Sequence, residues 1–470
     1  MNITIEKEPI FKNISIAYKQ LINSKVNTKK LLNKNFIDKL NPKQFIYVIG
    51  ITSYEGKDFN SNFEYIKRYV SNVSSKEVNL LLELEGHLYQ YFLKRYETEE
   101  CYQMFFSFFA KIHKDNENYL NQNSSENKSK KLLFFVHSPV FLAHTNPLFF
   151  MLKNRKNSEI NITVASLHED TNFTKTLSDI KVNFILLEGN NLSDQLKSLI
   201  LISTDFSKII WQSVPIYLGF VSSRVDNICL WSFKFHPKIN NVTKNLASFL
   251  SYKKSIIFNG SKWENIDVGF EIKNLEFNQR IWIDRKLKFG AFCREELIDD
   301  ESYWLIVKSI LENVKNSTFY YCGKKKIDAH WSKKLNISAD RIVFLGWLKD
   351  PHLKLKEMSF LLDGYKLGHG YLAYEAMAAA IPIIFPYDRK SYGTMETYIQ
   401  KLSTHPEHKK YLKNYKKYFL SFKSEKEASN IANNLLTDER FNSFYGKFNR
   451  ELITLYPKNT FEDFCKIVLN

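Results

Sequence analysis

Cysteine is sparse in this chain and poorly placed for structural chemistry. Cys101, Cys229, Cys293, Cys322 and Cys465 are far apart, odd in number and form no CxxC pair, which argues against a disulfide framework and against a zinc site. Apolar runs are short: no stretch of 18 consecutive apolar residues occurs, so no membrane-spanning helix is expected. Residues 1–7 lack the hydrophobic core of a secretory leader, and a cytoplasmic location is expected. Histidine and carboxylates show no ligand spacing, so no metal is expected. Glycine (15) and proline (11) are scarce, whereas Phe (38) and Tyr (26) are abundant. With the many Lys and Asn, that bias also fits an AT-rich genome and decides little.

What is present is a globular composition, 44% hydrophobic and 25% charged, rather than a disordered one. A length of 470 residues exceeds a single core and predicts two or three domains. The net charge of +17 favours anionic partners: phosphorylated ligands, an anionic membrane face or nucleic acid. Much of it lies in runs such as Lys324-Lys325-Lys326, Lys409-Lys410 and Lys416-Lys417, which read as solvated faces and loops or as a loose peripheral membrane contact. No nucleic-acid module accompanies the charge, so nucleic acid is not expected as a partner.

Along the chain, residues 1–113 carry helical patterning, with Leu80, Leu81, Leu84, Leu88, Tyr91 and Phe92 near helix spacing. They predict a mainly helical N-terminal domain. Residues 114–131 are polar and low in complexity, and read as a linker. The texture then changes. Short, continuously apolar runs at 132–136, 160–165, 182–187, 208–211 and 228–231 have the signature of strands buried on both faces of a parallel sheet. Their alternation with helical intervals predicts an α/β, Rossmann-like domain over 132–285, with 236–285 a less regular connection. A second α/β series opens at 288–293 and fills 286–470: helix 301–314, strands 318–322, 342–345 and 359–363, helix 371–380, strand 381–385 and a helical tail.

The most informative segment runs from Asp363 to Phe385. A strand end leads through a loop bearing Gly368, His369 and Gly370 into an Ala-rich helix that starts near Tyr371. Free N–H groups and the dipole at such a helix start form a cradle for a diphosphate, and glycines allow close approach. Glu375, one turn in, is placed to accept hydrogen bonds from ribose hydroxyls. The same segment also reads as an ordinary strand–loop–helix crossover with Glu375 in solvent.

This segment resembles the donor-binding stretch of GT-B glycosyltransferases. Upstream, Phe289-Gly290-Ala291-Phe292-Cys293-Arg294, the block 316–323 ending in Cys322-Gly323, and Arg341-Ile342-Val343-Phe344-Leu345-Gly346 resemble the branch of O-GlcNAc transferases and bacterial cytoplasmic adhesin N-glycosyltransferases. The likeness covers about residues 286–386. It implies a GT-B fold, two Rossmann-like domains facing a cleft, and a nucleotide-diphosphate sugar, UDP-sugar above all, as donor substrate. Gly368, His369, Gly370 and Tyr371 would then hold the diphosphate and Glu375 the ribose. The retaining enzymes' acid, eight positions before Glu375, is here Leu367, which favours inversion. The inverting branch's lysine falls on Leu297, so Arg294 becomes the expected phosphate contact, unless it pairs with Glu295 or Asp299. The lack of an Asp-x-Asp motif argues against the metal-dependent GT-A fold, and no cofactor is expected.

On the acceptor side, His137 and His144 follow the first strand of the first α/β domain and are the candidate general bases, His144 the preferred base or acceptor-positioning group; a structural role is the alternative for each. For an amide acceptor the role becomes orientation. The Thr145-Asn146-Pro147 step is expected to begin a helix. His236 and Lys234 are further candidate donor contacts, while His330 and His352 read as surface residues. The function expected is transfer of a hexose or N-acetylhexosamine to a protein or peptide side chain. The alternatives are a glycan or lipid-linked acceptor, including a sugar already on protein, or a non-catalytic partner of another transferase.

Overall fold

The computed structural model describes Phe45 and residues 59–72, 78–91, 96–115, 131–139, 142–156, 159–247, 255–266, 287–348, 351–364, 371–386, 420–454 and 461–470. Two compact units emerge: Met1–Phe249 with Lys253–Val268 and Asn459–Asn470, and Leu250–Tyr252 with Gly269–Lys458.

The first unit begins, among the described elements, with helices α1 (Phe59–Asn72), α2 (Val78–Tyr91) and α3 (Glu99–Asp115). An α/β alternation follows: β1 (Lys131–Val136), α4 (Leu142–Lys153), β2 (Asn161–Ser166), α5 (Thr171–Asp179), β3 (Asn183–Leu186), α6 (Leu192–Ser203), β4 (Lys208–Gln212), α7 (Leu218–Ser222) and β5 (Ile228–Ser232). Strands β6 (Val242–Ala247), β7 (Ser255–Phe258) and β8 (Ser261–Asn265) complete a sheet of order β3-β2-β1-β4-β5-β6-β8-β7. All pairs are parallel except β7–β8. Side-chain caps start α5 and α6: Asp170 accepts from Phe173 N–H and Asn191 from Asp194 N–H, each contribution being about 1 kcal/mol.

Strand β1 shows why its run is continuously apolar. Leu133 and Phe135 face one cluster, with Trp211, Leu230 and the helical residues Leu81, Leu84, Phe105 and Phe109. Leu132, Phe134 and Val136 face another, with Leu148, Phe173 and Phe464. Alternate side chains enter opposite layers, and both layers are roofed.

The second unit contains β9 (Lys288–Ala291), α8 (Glu301–Asn313), β10 (Thr318–Tyr321), α9 (Asp328–Leu335), β11 (Ile342–Phe344), α10 (Pro351–Leu355), β12 (Phe360–Leu362), α11 (Tyr371–Ala378), β13 (Ile383–Pro386), β14 (Ser421–Phe422), α12 (Glu425–Thr437) and α13 (Glu439–Thr454). Its parallel sheet has the order β11-β10-β9-β12-β13-β14. Helix α13 is tied down by two buried amides: Asn442 donates to Ser359 O and Leu435 O, and Asn449 donates to Ile381 O. Helix α14 (Phe461–Leu469) returns to the first unit.

Both α/β series lie where the apolar runs predict them, and four boundaries are corrected. The described N-terminal helices are not a separate domain, because α2 and α3 share the core under β1. Helix α3 continues to Asp115 and β1 starts at Lys131, so the linker is shorter at both ends. The irregular connection holds three strands, with β7 and β8 joined by the two-residue turn Asn259-Gly260. Its φ values of 43° and 74° suit a tight antiparallel hairpin. The tail is not wholly helical, since β14 adds to the second sheet. Its last helix leaves the 286–470 domain, because Phe461, Phe464, Cys465 and Val468 need an apolar partner and find it beneath β1.

Candidate functional site

In open α/β sheets ligands bind beyond the carboxyl ends of the strands, where the strand order reverses. Here that point lies between β1 and β4 in one unit, and between β9 and β12 in the other. Of the candidates, Arg294, Tyr371 and Glu375 follow strands of the second edge, and His137 and His144 follow β1 at the first.

At the second sheet, β9 runs through Phe292 into Cys293 and Arg294, which opens the short 3-10 turn Glu295–Leu297. Arg294 is exposed, and neither acid expected to neutralise it does so. Glu295 is buried and accepts from the backbone N–H groups of Lys324 (2.9 Å) and Lys325 (3.1 Å). Asp299 accepts from Trp331 Nε1 (2.8 Å). Glu295 thus folds the turn after β10 tightly over itself; a Cβ on Gly323 would lie 2.5 Å from its Oε2. That turn presents Lys324, Lys325 and Lys326 to solvent. Leu297 is half-buried.

At the end of β12, Asp363 is buried and its Oδ1 accepts from Gly364 N–H. Residues 365–370, with Gly368, His369 and Gly370, lie outside the described residues, as do Lys409-Lys410 and Lys416-Lys417. Helix α11 begins at Tyr371, whose side chain is not among those described, and Glu375 is half-buried on its second turn. Arg294, the approach to the glycine loop, the start of α11 and Glu375 therefore belong to one sheet edge. The thiols there are unreactive. Burial, then the charge of Asp363, pushes Cys293 well up, and burial with Glu295 pushes Cys322 up to about 11.

Sequence reasoning missed Trp347. It follows β11 and Gly346 (φ 69°), is 64% exposed, and has Lys324 Nζ 5.5 Å from its ring centroid. An aromatic directly after the apolar run 342–345 and a glycine was the available signal, because the loop at a strand's carboxyl end is where a parallel sheet meets its ligand.

At the first sheet, His137 directly follows β1, is buried, and lies with its ring 5.6 Å from that of Tyr217. His144 sits within α4, which starts at Leu142 and carries Pro147 inside it. The helix thus begins before the predicted Thr145-Asn146-Pro147 step. The side chain of His144 is outside the described set, as is that of His352, whereas His330 is exposed as expected. The turn after β4 contains two non-glycine residues with positive φ, Ser213 (84°) and Tyr217 (63°), each costing about 1–3 kcal/mol.

His236 and Lys234 are engaged elsewhere. His236 is fully buried, its Nε2 2.8 Å from Ser232 Oγ and its Nδ1 3.2 Å from Tyr102 Oη. Burial, then the charge of Lys234, holds the imidazole down to about 3, so it stays neutral. A ring closed at both nitrogens has no donor atom left for phosphate. Lys234 Nζ pairs with Glu97.

Among the described residues no cluster of three metal-ligating side chains occurs, and no helix is long and apolar enough to cross a membrane.

No family model matches this sequence, and no curated protein matches it. Solved structures do. A mutant of the Thermobaculum terrenum O-GlcNAc transferase has a TM-score of 0.53 at 11% identity, covering 97% of this chain and 92% of its own. A glycosyltransferase from Rickettsia africae has a TM-score of 0.48 at 11% identity, covering 73% and 98%. Acinetobacter baumannii MurG has a TM-score of 0.41 at 8% identity, covering 72% and 99%. The first of these likenesses shows the fold; the other two, below 0.5, add nothing to it. The chain has the GT-B glycosyltransferase fold, with two Rossmann-like domains.

Proposed function

We propose that this GT-B chain is a nucleotide-sugar-dependent glycosyltransferase that moves a hexose or N-acetylhexosamine from a UDP-sugar to a protein or peptide side chain. A fold alone does not fix an activity, so the reading rests on a site. The observation that carries it is the edge of the second sheet, where Arg294, which neither Glu295 nor Asp299 neutralises, follows β9 and the helix bearing Glu375 follows β12, the strand beside it, with three exposed lysines after β10.

The cations and the α11 N–H groups suit a diphosphate, whose negative charge grows as the bond to the sugar breaks. Glu375 takes the ribose hydroxyls. Trp347 offers an exposed ring face to the nucleobase, a contact tolerant of base identity. Transfer is inverting and independent of metal in this reading. The acid of retaining enzymes is replaced by Leu367, and the charge on the leaving group is met by Arg294 and backbone donors. The acceptor proton is taken by a base from the loop and helix after β1, His137 or His144.

Calorimetric titration of UDP, GDP and their sugars against the wild type and Glu375→Ala tests the donor half. Binding of a uridine nucleotide that weakens at least tenfold in the variant is expected. No binding by any nucleotide, or equal binding by the variant, sinks the assignment. For the acceptor half, mass spectrometry after incubation with mixed peptides and glycans should show the sugar mass on peptide. Replacing the true base should lower kcat while leaving donor affinity intact.

A further inference from the structure

The described N-terminal helices reach the edge of the first sheet through one buried carboxyl group. Glu85, on α2, is 2% exposed. Its Oε1 is 2.8 Å from Tyr96 Oη and accepts the backbone N–H of Tyr217 at 3.1 Å. Tyr96 Oη is also 3.1 Å from Pro215 O. Pro215 and Tyr217 both belong to the turn between β4 and α7, so two points of that turn are held from the N-terminal segment. Tyr217 is the residue in the left-handed region, and its ring lies against that of His137. Its hydroxyl lies where a Cβ on Gly86 would stand, 2.7 Å away, so α2 also fits closely around the end of the ring.

The hydrogen count at this contact is informative. Tyr96 has one hydroxyl hydrogen, and it faces two acceptors, Glu85 Oε1 and Pro215 O. With the carboxylate ionised, one of these contacts has no hydrogen between its oxygens. A proton on Glu85 supplies the second. Among the described residues Glu85 Oε2 has no hydrogen-bond partner, and a buried carboxyl oxygen left unpaired costs more when charged than when neutral.

We propose that Glu85 and Tyr96 are positioning residues, which hold the β4–α7 turn and through Tyr217 set the ring of His137, and that this hold requires a proton on Glu85. The inference rests on the reading of His137 as an acceptor-side group.

Burial raises the Glu85 carboxyl to about 8, opposed by the hydrogen bonds from Tyr96 and from Tyr217 N–H. The titratable groups facing it or the turn are Tyr96 and Glu97 before α3, Cys101 and Tyr102 on α3, Tyr89 and Glu83 on α2, Tyr217 and His137. Burial pushes Tyr96, Cys101, Tyr102 and Tyr217 upward, so they remain neutral as Glu85 ionises. The sign for stability follows. Between the ordinary carboxyl value of 4.5 and about 8 the folded chain holds a proton that the unfolded chain releases, so stability falls as pH rises through that window.

The test uses the full chain without nucleotide. Imidazole NMR signals of His137, identified by their loss in His137→Gln, are followed from pH 6 to 9.5 in the wild type and Glu85→Gln, alongside melting temperatures. In the wild type the His137 signals should shift with a midpoint near 8. Glu85→Gln, neutral at every pH, should abolish that shift and gain melting temperature relative to wild type as pH rises from 5 to 8. Tyr96→Phe provides a second variant that keeps the Tyr217 bond, and it should move the midpoint. A His137 ring that ignores this pH range, or one whose shift persists unchanged in both variants, overturns the proposal. Failure to bind any nucleotide sugar would refute the transferase reading instead, and the NMR transition would be unaffected by that result.

Discussion

The two sheets share one strand order from their first strand to their fifth, β3-β2-β1-β4-β5 in one and β11-β10-β9-β12-β13 in the other, yet their ligand edges are chemically opposite. Among the described residues the edge of the first is buried: a histidine against a tyrosine, a carboxyl that burial raises to about 8, and strain carried by Ser213 and Tyr217. The edge of the second is open and cationic, with Arg294, three lysines and Trp347 in water, and a glycine at the positive-φ position before the tryptophan. A shared topology therefore places the two edges, while their side chains differ in burial and charge; the proposed division of labour rests on that difference. A dry, shaped edge suits orientation and proton transfer, and a wet, charged one suits capture of a diphosphate.

That contrast can be broken from either side. The largest expected effect is on the scaffold of the first edge. Phe464→Ala removes the ring that lies 5.8 Å from Phe134 and 5.3 Å from Trp231, and should cost about 3–5 kcal/mol. Thermal or urea unfolding should show the first unit melting early while nucleotide affinity survives below that transition. An equal loss in both units would show that they do not unfold separately. Next comes Gly446→Ala, whose Cβ would stand 2.1 Å from Ala380 O. Prying α13 from α11 should cost about 2–3 kcal/mol and weaken nucleotide binding, since α11 carries Glu375.

Two smaller effects address the second edge itself. Arg294→Ala should weaken UDP binding by about 1.5–3 kcal/mol, a charged hydrogen bond's worth, and flatten its dependence on salt. Unchanged affinity would remove Arg294 from the site. Trp347→Ala should cost about 1–2 kcal/mol and leave the salt dependence as it was. A steeper salt dependence in that variant would mean that the ring orders Lys324 rather than a base.

Much of this was legible in the sequence because it depends on local pattern. Buried parallel strands need apolar residues on both faces, so β1, β4, β5, β9 and β10 stand out from their neighbours. The Asn259-Gly260 turn carried an equally local signal that was passed over, since the flanking strands alternate weakly and Ile257 points to solvent, 70% exposed. The rest depends on distant partners. The i, i+3, i+4, i+7 spacing of Phe461, Phe464, Cys465 and Val468 announces an amphipathic helix without saying what it covers. His236 looked available because nothing nearby in sequence reveals Tyr102, 134 positions away. Glu85 reads as one more polar residue on a helix until Tyr96, Pro215 and Tyr217 close around it.

The return of α14 also has a consequence for how the protein is made. Lys244 donates to Ile467 O and Phe464 fills the layer beneath β1, yet nearly all of the second unit, Gly269–Lys458, lies between β8 and α14 in the chain. During synthesis that layer must wait, covered by Leu148, Met151 and Phe173 but lacking Phe464 against Phe134 and Trp231, until the second unit has left the ribosome. The protein thus assembles in a closed order, with the earliest sheet finished last.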